Sequence, residues 1–168
     1  GANDAPGTDS PTISIDEDST GAPLGINAPT DVDTNNTNST PVITVTSIPA
    51  GGTLFYDNGG TPTAITAGDV YSLILTPAQL ASLTYDAPAA GDGTNESFTF
   101  GYSVDDGTSP PVPGTATINI NDTPVAVDNT ETVVPGQASI VDPLAGDTDP
   151  NPATVNPNGL SAPVISSV

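Results

Sequence analysis

The residues of this chain that could do chemistry are almost all acids and their amides. Asn3-Asp4-Ala5-Pro6 returns as Asn121-Asp122-Thr123-Pro124, 118 residues later. Asp31-Val32-Asp33 has a counterpart in Asp147-Thr148-Asp149, 116 residues later, and Asp105-Asp106-Gly107 stands between them. Twenty Asp and Glu residues face no Lys, Arg or His in 168 positions, so the formal charge is -20 and no side-chain ion pair can form. Water, counter-ions or a bound cation must balance that charge. Such donors suit a hard divalent cation. Calcium takes about six to eight oxygens from carboxylates, amides and backbone carbonyls in flexible geometry, whereas zinc, copper and iron want the nitrogen and sulfur ligands missing here.

The same composition excludes other roles. A field of this sign repels nucleic acid and anionic lipid headgroups. An enzyme needs a poised group, and here His, Cys and Lys are all missing. No acid and base pair is marked out from the general acidity, so the chain is read as not an enzyme. No apolar run approaches the length of a membrane span. The chain begins at Gly1 with neither initiator Met nor apolar leader, and reads as an excerpt of a longer or processed protein.

The elements that must position the acids are strands. With 35% hydrophobic residues, 17 Gly and 19 Pro, the composition admits either disorder or a turn-rich all-β chain, and periodicity decides between them. Ile13 and Ile15, then Phe98, Phe100 and Tyr102, then Ile118 and Ile120 each alternate with small polar residues, the pattern of half-buried antiparallel strands. Further strands are expected near residues 24–26, 42–48, 53–56, 70–75 and 83–85, each bounded by turn-forming residues. Seven or more strands in about 115 residues predict an antiparallel β-sandwich of the immunoglobulin-like kind. One short helical turn is predicted at Thr76-Pro77-Ala78-Gln79, a capping box with Pro at the first helical position and Leu80 and Leu83 turned inward.

Two motifs recurring at nearly one distance argue for a tandem repeat of about 117 residues. Residues 1–122 make one complete unit, and 123–168 the first part of a second. Alternating strand directions in such a sandwich gather the acids at its two ends. The incoming Asn3 and Asp4 share one end with Asp31 and Asp33, in the loop after the second strand, and with Asp105 and Asp106, in the loop before the last. Glu17 and the leaving Asn121 and Asp122 share the other. Asp92 and Glu96 fall at that second end and are read as a solvated loop. Asp-x-Asp here is not an EF-hand, since counting from Asp31 puts Asn36 where Gly is needed and Val42 where the bidentate Glu is needed; the second copy puts Pro152 and Asn158 there.

At these motifs the chain resembles the cadherin-like tandem repeats of giant bacterial surface adhesins and related extracellular arrays. Asn121-Asp122-Thr123-Pro124 is similar to their calcium-binding linker, Asp147-Thr148-Asp149 to their Asp-x-Asp, and Asp105-Asp106-Gly107-Thr108-Ser109-Pro110 to their x-Asp-x-Gly-x-Pro loop. Asp16-Glu17-Asp18 matches the family's acidic motif only loosely. The resemblance covers most of residues 3–122 and implies Ca2+ at the junctions between consecutive domains. Asn121, Asp122, Asp147 and Asp149, with Glu17, would serve the junction after the first unit. Asn3, Asp4, Asp31, Asp33 and Asp106, with Asp105 in the same loop motif, would serve the one before it. The implied setting is extracellular or at the cell surface. The implied function is structural or adhesive, with neighbouring repeats or copies as partners. The alternative is a calcium-dependent carbohydrate- or ligand-binding module. The apolar residues of 125–168 cannot close a sandwich alone, so completion by a following segment or by strands of another copy is expected, giving head-to-tail extension into a fibre or stalk.

Overall fold

The computed structural model describes residues 4–30, 41–89, 96–130, 132, 134–136 and 145–148. Nine strands appear among them: β1 (Thr12–Asp16), β2 (Ala22–Pro23), β3 (Val42–Ser47), β4 (Thr53–Asp57), β5 (Pro62–Ile65), β6 (Ile74–Leu75), β7 (Thr84–Asp86), β8 (Glu96–Asp105) and β9 (Val112–Asn121). They form a sandwich of two sheets, one ordered β1-β9-β8-β3-β6 and the other β2-β7-β4-β5. A 3-10 turn (Ala67–Asp69) precedes β6, and the helix α1 (Pro77–Ala81) joins β6 to β7.

Alternation along the strands builds the core. Phe100, Tyr102 and Val104 of β8 face inward with Ala116, Ile118 and Ile120 of β9 and with Ile43 and Val45 of β3, while Leu54, Ile65 and Tyr85 close the layer from the other sheet. Each fully buried large apolar side chain stabilises the fold by roughly 1.5–3 kcal/mol. The capping box at α1 is present: the Gln79 amide donates to Thr76 Oγ1 (3.2 Å) and the Thr76 amide to Gln79 Oε1 (2.9 Å). Leu80 and Leu83 are both buried, as their spacing requires.

Three expectations are corrected. β1 is not antiparallel to its neighbour; it runs parallel to β9, Thr12 opposite Thr117 through Asp16 opposite Asn121. Period-two alternation fixes which face a strand buries, not the direction of its partner. The strand expected at 24–26 ends at Pro23, because Gly25 takes a left-handed conformation (φ 70°) that turns the chain while still leaving Leu24 and Ile26 buried. Within 70–75 only Ile74–Leu75 is a strand. Asp69 closes the turn before it, accepting from the Thr66 amide and hydroxyl, and Tyr71 then adopts φ 62°.

Beyond β9 a local arrangement of the first unit returns. In the first unit the Gly7 amide donates to the Thr30 carbonyl (2.8 Å); further on, the Val125 amide donates to the Thr148 carbonyl (2.8 Å) and the Thr148 amide returns the bond (3.0 Å). Positions 7 and 125, and 30 and 148, both differ by 118, the spacing of the Asn-Asp-x-Pro copies. This register differs from the 116 taken from the Asp-x-Asp pairs. It sets Asp149 against Asp31, with Asp147 against Pro29. A hydrogen-bonded backbone pair marks equivalent positions more directly than two acids in a loop do.

Candidate functional site

Strand register places the acids. β1 and β9 run the same way, so Asp16 ends beside Asn121 and the first turn after β1 meets the segment leaving β9. The Asn121 Nδ2 donates to Asp16 Oδ1 (2.8 Å), and the Glu17 amide to the Asn121 carbonyl (3.1 Å). Glu17 Oε1 accepts from the Thr123 amide (2.9 Å) and also from the Thr123 hydroxyl. Asp122 between them is buried, only 5% exposed. The Asp18 amide donates to the Pro88 carbonyl (3.1 Å) and the Ala87 amide to the Ser19 carbonyl (2.8 Å), which brings the segment after β7 to the same end. Glu96, opposite Ile120, begins β8 there.

The opposite end is built around the turn from β8 to β9. Val42 lies opposite Asp105, so the chain arriving at β3 reaches this end. Asp105 Oδ1 accepts from the Gly107 amide (2.7 Å), and Asp106 Oδ1 from the amides of Thr108 (2.8 Å) and Ser109 (2.7 Å). These are Asx turns, with Gly107 at φ 80°. Asp106 is only 3% exposed, whereas Asp4 is solvent-facing.

Asp9, absent from the motifs, is the acid that organises the incoming segment. Its Oδ2 accepts from the Asn27 amide (3.0 Å) and Nδ2 (2.8 Å), and the Asn27 amide above all holds its carboxyl below the usual range. Its backbone is pinned from behind: the Tyr102 hydroxyl donates to the Asp9 carbonyl (2.6 Å) and accepts from the Asp9 amide (2.9 Å). Burial pushes the Tyr102 hydroxyl up. The cleft beside Asp9, about 230 Å³, is lined by Gly7, Thr8, Asn27, Pro29 and Thr30 among others. In the segment after β9 the carboxylate comes from the other side: Asp147 Oδ1 accepts from the amide of Val127 (2.7 Å), the position 118 residues after Asp9. The sequence carried no signal for Asp9, because an acid that clips two segments together needs no motif.

The structure therefore brings Glu17, Asn121 and Asp122 together at one end of the first unit, and Asp105 and Asp106 together at the other. Asn3, Asp31, Asp33 and Asp149, like Asp92, lie outside the described residues. Among the described residues, no group of three or more His, Cys, Asp or Glu side chains is assembled to hold a metal ion. No helix of the described residues is long and apolar enough to cross a membrane. The chain matches no protein-family model and none of the curated proteins with which it was compared.

Proposed function

We propose that this chain is a stretch of an extracellular tandem-repeat stalk or adhesin, with units joined head to tail and acidic junctions stiffened by calcium. The observation that carries this reading is the return of the Gly7–Thr30 backbone pairing as Val125–Thr148, at the same 118-residue spacing as Asn-Asp-x-Pro. Sequence motif and hydrogen-bonded backbone repeat together, which supports a second unit beginning directly after the first.

Two features support calcium as the stiffening ion. Asp106 and Asp122, one at each end of the unit, are the buried charged residues of the described part, in a chain with no basic side chain to neutralise them. Backbone amides already meet part of this demand at Asp106, and a bound cation would add the positive charge that no side chain provides. The available donors are all oxygen, as calcium prefers. Glu17, Asn121, Asp122, Asp147 and Asp149 would hold the ion after the first unit; Asn3, Asp4, Asp31, Asp33, Asp105 and Asp106 the one before. At the spacing of 118, Asp31 and Asp149 would do the same work at successive junctions. Bound calcium would supply the positive charge that the sequence lacks. The chain's own residues orient the linker: Glu17 and Asp16 already hold Thr123 and Asn121 in line with β9.

Thermal melting in EDTA and in millimolar calcium at matched ionic strength tests the proposal. Extracellular calcium sites bind at about 10⁻⁴ to 10⁻³ M, so about ten dissociation constants of free ion stabilises by roughly 1.4 kcal/mol per site. A raised midpoint in calcium is expected, together with a stiffer rod by small-angle scattering of a two-unit protein. Equal midpoints would remove calcium from the reading.

A further inference from the structure

We propose that the two terminal strands of the unit form a load-bearing clamp, in which tension along the chain shears β1 against β9 so that their hydrogen bonds must yield together. The proposal deepens the stalk reading and rests on it for its use, but not for its geometry.

The cross-links between the incoming and outgoing segments extend well beyond the strands themselves. The Thr8 hydroxyl donates to the Pro113 carbonyl (3.0 Å), the Thr115 amide to Ser10 Oγ (3.1 Å) and the Thr117 amide to the Pro11 carbonyl (2.9 Å). The five register pairs of β1 and β9 follow. The zip then closes with Asn121 on Asp16, the Glu17 amide on the Asn121 carbonyl, and Thr123 on Glu17. The Thr8–Pro113, Ser10–Thr115 and Asp16–Asn121 contacts each join residues 105 apart, so the zip holds one register from the first to the last of these.

Direction makes this a clamp. Both strands run the same way, so the chain enters at the end of the zip where Thr8 meets Pro113 and leaves at the end where Glu17 meets Thr123. Pulling the chain at its two sides draws β1 and β9 in opposite senses along their own axes, across their hydrogen bonds. Antiparallel terminal strands joined at one end would instead open one rung at a time. A second anchor backs the first: Tyr102, buried on β8, grips the Asp9 backbone from both its amide and its carbonyl.

Single-molecule pulling in two directions tests the clamp on the full chain. The sequence has no cysteine, so two introduced thiols define the axis of force. The pair Asp4→Cys and Ala126→Cys loads the zip in shear. The pair Thr20→Cys and Ala126→Cys attaches at one end of it and peels β1 away rung by rung. At one loading rate the shear direction should require at least about twofold more force, because forced rupture follows the barrier to the first irreversible opening. Equal forces in the two directions would overturn the proposal. A proline pair gives a second measure. The Pro11 carbonyl and the Glu17 amide both face β9, so the amides of Ile13 and Ile15 face it too and those of Ser14 and Asp16 face away. Ile15→Pro should lower the shear force, and Ser14→Pro should leave it near that of the unsubstituted chain. An equal loss in both variants would count against the clamp. These forces are read on single chains, so a failed calcium titration would leave the clamp standing, and equal forces would leave the calcium reading intact.

Discussion

Gly114→Ala should destabilise the unit, although replacing glycine inside a strand ordinarily does the reverse. Gly114 lies on β9 directly opposite Tyr102 on β8. A Cβ there would run into Tyr102 Cζ and stand 2.5 Å from its hydroxyl oxygen and 2.6 Å from Cε1. The ring lies across the bare glycine in order to reach the Asp9 backbone beyond it. A methyl group would push it off both Asp9 hydrogen bonds, each worth about 0.5–1.5 kcal/mol net, or else strain the core by about 1–3 kcal/mol. Against this, relief of glycine's conformational freedom favours alanine by only about 0.5–1 kcal/mol. The balance is a net loss of roughly 1 kcal/mol. Urea unfolding of Gly114→Ala, Tyr102→Leu and the double variant measures it. Tyr102→Leu removes the three atoms the methyl would meet, so the alanine penalty should fall by at least about 1 kcal/mol in that background. A neutral or stabilising Gly114→Ala, or a penalty that stays the same when Tyr102→Leu is also present, would refute the contact as the cause.

Two further outcomes are expected. The Tyr85 hydroxyl, which donates to the Gly51 carbonyl (2.7 Å), is pushed up to about 12, first by burial and then by the charge of Glu96. Folding therefore holds its proton more tightly than the unfolded chain does, so this contribution is whole below the ordinary tyrosine value of about 10 and is lost as pH rises toward 12. Alkaline unfolding of Tyr85→Phe should be correspondingly shallower across that interval. Thr76→Ala removes the acceptor for the Gln79 amide at the start of α1. It should cost about 1 kcal/mol in urea, with little further loss when Gln79→Ala is added, since the two side chains close one box.

The sandwich was legible because its longest strands obey one rule throughout. On β8 and β9 every second side chain turns inward, and Phe100, Tyr102, Ile118 and Ile120 are buried where alternation puts them. The helix was legible because its cap is purely local, set by Thr76, Pro77 and Gln79. What escaped was decided by distant residues. Sequence alternation at Ile13 and Ile15 says nothing of the parallel partner 105 residues on. The two-residue strands β2 and β6 are too short to show a period, and the backbone turns at Gly25 and Tyr71 cut them off. Of the site, register gathers Glu17, Asn121 and Asp122 at one end and Asp105 and Asp106 at the other, as strand counting implied. Asp9 was invisible because its partners, Asn27 and Tyr102, are assembled only by the fold.

The motif that returns along this chain is Asn followed by Asp, and the last rung of the terminal zip gives a physical reason for the amide. Asn121 meets Asp16 side chain to side chain at 2.8 Å, as donor to a carboxylate, in a chain with no Lys, Arg or His to serve instead. A carboxylate at 121 would face a carboxylate at that distance, and like charges so close repel by several kcal/mol at the effective dielectric of a protein surface. Only a neutral side chain with a donor keeps the rung shut. The next residue, Asp122, does not face Asp16 across the ladder, and there the sequence keeps its charge. Asn therefore closes the strand pair, and in the proposed stalk Asp would supply the junction. The order of the two follows from where β1 ends, with the amide on the last rung and the acid one residue beyond it. In the proposed stalk the clamp and the acidic junction would thus meet at a single pair of neighbouring residues, Asn121 on the last rung and Asp122 directly after it.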